Sequence, residues 1–111
     1  MSYMNQFSVS NGVTDVVVCS SPAASTTRTI GAGMLNIMNL DTAEITCTIQ
    51  INDNSTNRVQ DIVVIPAGES WSNDKQVMCL DATTQALEIY LAGAVAANEA
   101  DVSVVYRDEA Q

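Results

Sequence analysis

The 111-residue sequence contains no histidine, and 13 acidic residues outnumber four lysines and arginines to give a net charge of −9. Without histidine, serine and cysteine triads lose their usual base, and zinc sites shrink to thiolates and carboxylates. Four basic residues are too few for a nucleic-acid binder, which takes most of its affinity from Lys and Arg contacts to phosphate. An anionic membrane surface repels such a chain as well. Aromatic residues make up only 5% of the chain, so a core must come mostly from Val, Ile, Leu, Met and Ala. No apolar run approaches the ~20 residues of a membrane span. The segment Met1-Ser2-Tyr3-Met4-Asn5-Gln6 has neither a basic region nor an apolar stretch, so no signal peptide is expected. Cys19, Cys47 and Cys79 are widely spaced with no CxxC pair, and each sits in an apolar strand pattern. Buried free thiols in a reducing compartment are expected.

What is present is apolar content and alternation. With 47% hydrophobic residues, the chain can bury a core as one domain of roughly two-thirds interior surface. Glu44-Ile45-Thr46-Cys47-Thr48-Ile49-Gln50-Ile51 alternates strictly, with Ile45, Cys47, Ile49 and Ile51 on one side. A strand with one face in the core and one in water has this pattern. Residues 86–92 set Leu87, Ile89 and Leu91 against Glu88 and Tyr90, and residues 101–107 set Val102, Val104 and Tyr106 against Ser103, Val105 and Arg107. Further strands are expected at 13–19, 34–39 and 59–65, with shorter ones at 26–30, 70–72 and 76–80. The continuous run Val16-Val17-Val18 reads as covered on both faces. Polar turns divide the strands: Asn52-Asp53-Asn54-Ser55-Thr56-Asn57, Pro66-Ala67-Gly68-Glu69 and Asp81-Ala82-Thr83-Thr84. The Ala-rich stretch 93–100 is a further break that admits a short helical turn. About eight short strands with regular turns indicate an all-β antiparallel sandwich, either jelly-roll-like or immunoglobulin-like.

No constellation for catalysis emerges, and the chain is expected not to be an enzyme and to need no cofactor or metal. Glu44, Glu88, Glu99 and Asp101 show no spacing that asks for an acid–base pair and are expected to be solvated. The 52–57 loop has calcium-ligand residue types without the EF-hand order or its distal Glu, so a surface turn is the plainer reading. Partner contacts are the remaining use for conspicuous side chains. Trp71 is the only Trp and lies beside polar residues; it reads equally as an interface anchor or as a cover on the rim of the core. Tyr3, Met4 and Phe7 form an apolar cluster in an otherwise polar segment. Either an N-terminal arm (residues 1–10) lying on a neighbouring subunit or a first edge strand of the same sheet explains them. Asp53 is a candidate loop contact.

The order of elements carries a resemblance. Met34-Leu35-Asn36-Ile37-Met38-Asn39-Leu40-Asp41 is followed by the alternating strand at 45–51 and then by Ile62-Val63-Val64-Ile65-Pro66-Ala67-Gly68-Glu69-Ser70. Met78-Cys79-Leu80-Asp81-Ala82 and the strand at 87–91 come next. Across roughly residues 28–107 this is similar to small β-sandwich virion proteins of tailed phages. With its length, acidity and N-terminal segment, the whole chain resembles the capsid decoration, or stapling, proteins of epsilon-fifteen-like short-tailed phages. The resemblance implies a jelly-roll-like protein made in the host cytoplasm that sits on the outer capsid surface. It implies clamping of neighbouring major capsid subunits, often as a homodimer or other homo-oligomer. A neck or tail component of the same virion is the alternative. No binding residue transfers by position.

Overall fold

In a strand that buries one face, every second residue must be apolar, and the segments 45–51, 87–91 and 102–106 meet this condition most fully. The computed structural model describes residues 3–10, 14–92 and 99–111; of the break expected at 93–100, residues 93–98 lie outside them. Its strands are β1 (Tyr3–Ser10), β2 (Val16–Cys19), β3 (Thr26–Ile30), β4 (Leu35–Asn39), β5 (Ile45–Asp53), β6 (Thr56–Ile65), β7 (Ser70–Ser72), β8 (Met78–Leu80), β9 (Gln85–Ala92) and β10 (Ala100–Ala110). All pairings are antiparallel.

The strands form two sheets. Sheet B has the order β2-β9-β5-β6. In sheet A, β10 lies between β1 on one edge and β4 and β3 on the other, since Val102 pairs with both Ser8 and Ile37, and Arg107 with both Tyr3 and Thr29. β3 and β4 are therefore two halves of one long strand, separated by residues 31–34. Their outer neighbours β8 and β7 are likewise two halves, pairing with them in a common register. Counted this way, eight strands run 1-8-3-6 in one sheet and 2-7-4-5 in the other. That order is the jelly roll, two interlocked Greek keys, and it decides between the two sandwich topologies left open by the sequence.

The sheets close on one apolar core that includes Ile30, Leu35, Ile37, Ile45, Cys47, Ile49, Leu87, Ile89, Leu91, Val102 and Val104. The inward faces expected for 45–51, 87–91 and 102–104 are those observed, with Ile51 half-buried at the end of its strand.

Two buried asparagines and one arginine stitch the frame. Gly33, at φ +78°, turns the chain in the gap between β3 and β4, a conformation open to glycine. Asn73 fills the gap: its Oδ1 accepts from the Leu35 N–H at 2.9 Å, and its Nδ2 donates to the carbonyls of Gly31 at 3.1 Å and Gln76 at 2.7 Å. At the far end of β4, Asn39 Nδ2 donates to the carbonyls of Ala43 and Ile65, joining sheet A to the start of β5 and the end of β6. Arg28 closes the opposite end. It donates through Nε and Nη2 to both carboxylate oxygens of Asp108, at 2.8 and 2.9 Å, and through Nη1 to the Ser20 carbonyl just after β2. Its guanidinium lies 4.2 Å from the centre of the Tyr106 ring. The Arg28 hydrogen bonds hold the Asp108 carboxyl below the usual carboxylate range.

Several expectations need correction. Cys79 is exposed, because Met78 and Leu80 take the inward positions of β8 and leave Cys79 outward. Cys19 and Cys47 are buried as expected. Val17 is exposed, so the run Val16-Val17-Val18 is covered on one face only. Glu88 and Gln50 are buried despite facing outward: they are direct partners on the two central strands of sheet B, and Gln50 Nε2 donates to Glu88 Oε1 at 3.2 Å. Glu99 is buried as well. The 52–57 segment is shorter than a loop. It is a two-residue hairpin turn with positive φ at both Asn54 and Ser55, the geometry whose twist matches that of the flanking strands.

Candidate interaction surface

Residues directly opposite each other in an antiparallel pair share a face, so the register states what each sheet presents to the outside. On β1, Tyr3, Asn5, Phe7 and Val9 pair with Arg107, Val105, Ser103 and Asp101 and point outward; Met4, opposite Tyr106, lies on the inner side. Phe7 is 76% exposed, and Tyr3, Met4 and Val9 are also exposed. Of the two readings of the N-terminal segment, the structure has the edge strand: residues 3–10 pair with β10 throughout.

Next to Phe7 the outer face of sheet A forms a shallow groove of about 490 Å³, lined by Phe7, Val9, Met38, Ser70, Asp101 and Ser103 among others. Its walls come from β1, β4, β7 and β10. Apart from the Asp101 carboxylate, the lining is apolar or neutral. The Arg107 guanidinium stands 5.9 Å from the centre of the Tyr3 ring and is ion-paired to Glu109 at 2.6 Å.

The outer face of sheet B carries a second apolar patch. Ile62 and Val64 of β6 lie opposite Thr48 and Thr46 and are 60% and 56% exposed; Val59, opposite Gln50, is also exposed. An exposed apolar patch of this kind marks a contact surface more often than an isolated exposed side chain does.

The five side chains singled out in the sequence do not converge. Tyr3, Met4 and Phe7 share β1. Trp71 sits on β7, three strand spacings (about 14 Å) from β1. It pairs with the inward-facing Ile37 and is half-buried against the core. A cleft of about 310 Å³ beside it is lined by Asp61, Asn73, Asp74 and Lys75 among others. Asp53 is engaged internally: Thr84 Oγ1 donates to its Oδ1 at 3.0 Å, Gln85 Nε2 donates to its Oδ2 at 3.4 Å, and Arg58 approaches within 3.6 Å. It ties the β5–β6 hairpin to the start of β9. Val9 and Ile62, both exposed, and Met38, half-buried in the groove, were not singled out by the sequence reading. Val9 was within reach of that reading, two positions beyond Phe7 on the same strand face.

Among the described residues, no group of three or more Cys, Asp or Glu side chains is placed to hold a metal ion, and no helix is long and apolar enough to cross a membrane. The chain matches no known protein family and no curated protein.

Proposed function

We propose that this chain is a capsid decoration protein of a tailed phage, which binds the outer capsid surface and bridges major capsid subunits to stabilise the shell. The observation that supports this reading is the pair of apolar patches on opposite outer faces of one rigid sandwich: Phe7 and Val9 on sheet A, Ile62 and Val64 on sheet B. A bridge needs two contact surfaces held at a fixed separation, and a jelly roll stitched at both ends by Asn39 and Arg28 keeps them so. Jelly rolls recur in viral capsid and lectin domains, although a fold alone does not name an activity. A standard protein contact buries on the order of 1,600 Å² in total. Two smaller contacts made by one molecule reinforce each other, because the first raises the effective concentration of the second. The acidic surface suits basic rims on the partner, with charge setting the encounter rate more than the final affinity.

Copy number per purified particle, measured by quantitative gel densitometry, tests the proposal. Hundreds of copies are expected. About five to twelve copies, as a ring of closed symmetry has, would move the protein to the neck or tail. Shells lacking the protein are expected to burst at lower temperature, and adding it back restores them. Unchanged shell stability without it rejects the bridging role.

A further inference from the structure

The chain has four lysines and arginines in all, and each has its place. Arg28 pairs with Asp108, Arg58 with Asp53 and Arg107 with Glu109, while Lys75 lines the cleft beside Trp71. None forms an ion pair with Glu88. That residue is only 8% exposed, on the outer face of a central strand of sheet B. Its hydrogen-bond partners among the described residues are two amides on one oxygen. Gln50 Nε2 donates to Oε1 at 3.2 Å, and Asn52 Nδ2 donates to the same atom at 3.5 Å. Oε2 accepts no hydrogen bond, yet it is not among the enclosed polar atoms without a partner, so it stays open to the outer face.

Burying a charge is costly unless it is paired, and two neutral amides offset only part of that cost. A glutamine in the same place would satisfy both amides with no charge to bury. A group that costs the fold stability and serves nothing within it is accounted for by a use outside it.

The surroundings say what that use is. The rung Val17-Glu88-Gln50-Val59 crosses all four strands of sheet B, a width of about 14 Å. The next rung holds Tyr90, Thr48 and Ile62. Val17, Val59 and Ile62 are exposed, so the free carboxylate oxygen lies within an apolar rim. A rim of this kind excludes water from a contact at its centre.

We propose that the outer face of sheet B receives an arginine side chain from a partner protein, whose guanidinium donates to Glu88 Oε2 inside this rim. Arginine fits better than lysine. Its guanidinium is more weakly hydrated, loses less on entering an apolar setting, and can stack on an aromatic ring such as Tyr90, two residues along the same strand face. The inference deepens the bridging reading by stating what one of the two contacts recognises, and it rests on that reading only for the source of the arginine.

NMR of the isolated full chain, titrated with N-acetyl-Val-Arg-Val-amide, tests the site. Saturable shifts of the Gln50 and Asn52 side-chain amides are expected at millimolar peptide. The same peptide with citrulline, which is uncharged, in place of arginine should bind at least about tenfold more weakly, as should the arginine peptide to Glu88→Gln. Glu44→Gln removes the same charge from an exposed site and should leave binding unchanged. Glu88→Gln should melt no lower than the parent, and the citrulline comparison, which needs no variant, stands whether or not it does. Equal shifts with both peptides overturn the proposal, as does equal weakening by Glu44→Gln, which would assign the attraction to net charge. Binding to bare shells separates the two readings. A parent that takes up the arginine peptide but not shells keeps the site and removes the decoration role. Shells bound equally by the parent and Glu88→Gln keep the decoration role and overturn the proposal.

Discussion

In sheet B, β5 and β9 pair without a shift from Thr46 and Ala92 to Asp53 and Gln85. In sheet A, the strand beside β10 is broken at residues 31–34 and the strand beyond it at 73–77, and the two gaps lie next to each other. The sheets hold together by different means. Sheet B relies on the unbroken β5–β9 ladder at its centre, over an apolar face, where each residue contributes a little. Sheet A loses ladder bonds at the gaps and recovers them at one residue, Asn73, through its side chain and through its backbone, which accepts from the Gly33 N–H at 3.1 Å and donates to the Leu35 carbonyl at 3.3 Å. A continuous strand spreads its stability over many small terms, whereas a broken one concentrates it in a few polar groups that have no substitute.

The largest effect should come from the centre of sheet B. Ile49→Asp places an uncompensated charge where the side chain is fully buried and should cost about 5 kcal/mol or more, most of the stability of a domain this size. Loss of the native circular-dichroism and NMR signatures is expected; a folded, soluble variant would mean that Ile49 does not face the core. Next, Asn73→Ala in sheet A should cost about 3 kcal/mol, since it takes the side-chain partner from the Leu35 N–H and the Gln76 carbonyl and leaves the Gly31 carbonyl with the Met34 N–H alone. Urea melts read this directly, and a loss under about 1 kcal/mol would show that the gap holds without its asparagine.

A smaller effect belongs to the ion pair at the sandwich end. Asp108→Asn should lower stability at neutral pH by about 1 kcal/mol, since Asp108 keeps partial exposure. The sign of its pH dependence follows from the depressed carboxyl pKa. The stabilisation is complete above the ordinary carboxylate value and is lost as pH falls through the folded one. The parent should therefore lose more stability on acidification from about pH 5 to pH 2 than Asp108→Asn does, and parallel acid profiles would contradict this. The mildest probe leaves the fold intact. Burial pushes the Cys47 thiol up to about 12 and the Cys19 thiol up to about 11, so both stay protonated and shielded at neutral pH. Under native conditions a thiol reagent should label Cys79 on the outer face of sheet A and spare the other two until the chain unfolds. Mass spectrometry showing early labelling of Cys47 would contradict a closed core.

Much of sheet B was legible before any coordinates, because Ile45, Cys47 and Ile49 and Leu87, Ile89 and Leu91 carry their own period. Sheet A was less so. Nothing in Asn36 or Ser70 states that β4 and β7 are half-strands, and an asparagine in a polar run such as Ser72-Asn73-Asp74 reads as a turn residue until its partners are known. The candidate surface divided in the same way. Tyr3, Met4 and Phe7 were visible as an apolar group in a polar segment, but of the three only Phe7 lines the groove, which takes Met38 and Asp101 from strands far along the chain. Asp53 looked available because its partners Thr84 and Gln85 are about thirty positions away.

The sequence by itself determined that the chain makes strands, and which side of most of them is apolar. Side-chain period is a local property, readable in any eight residues. Only the tertiary structure decided the jelly-roll order, the burial of Gln50 and Glu88 and the exposure of Cys79. Each of these depends on which strand lies beside which, and pairing across tens of residues is set by the packing of the whole core.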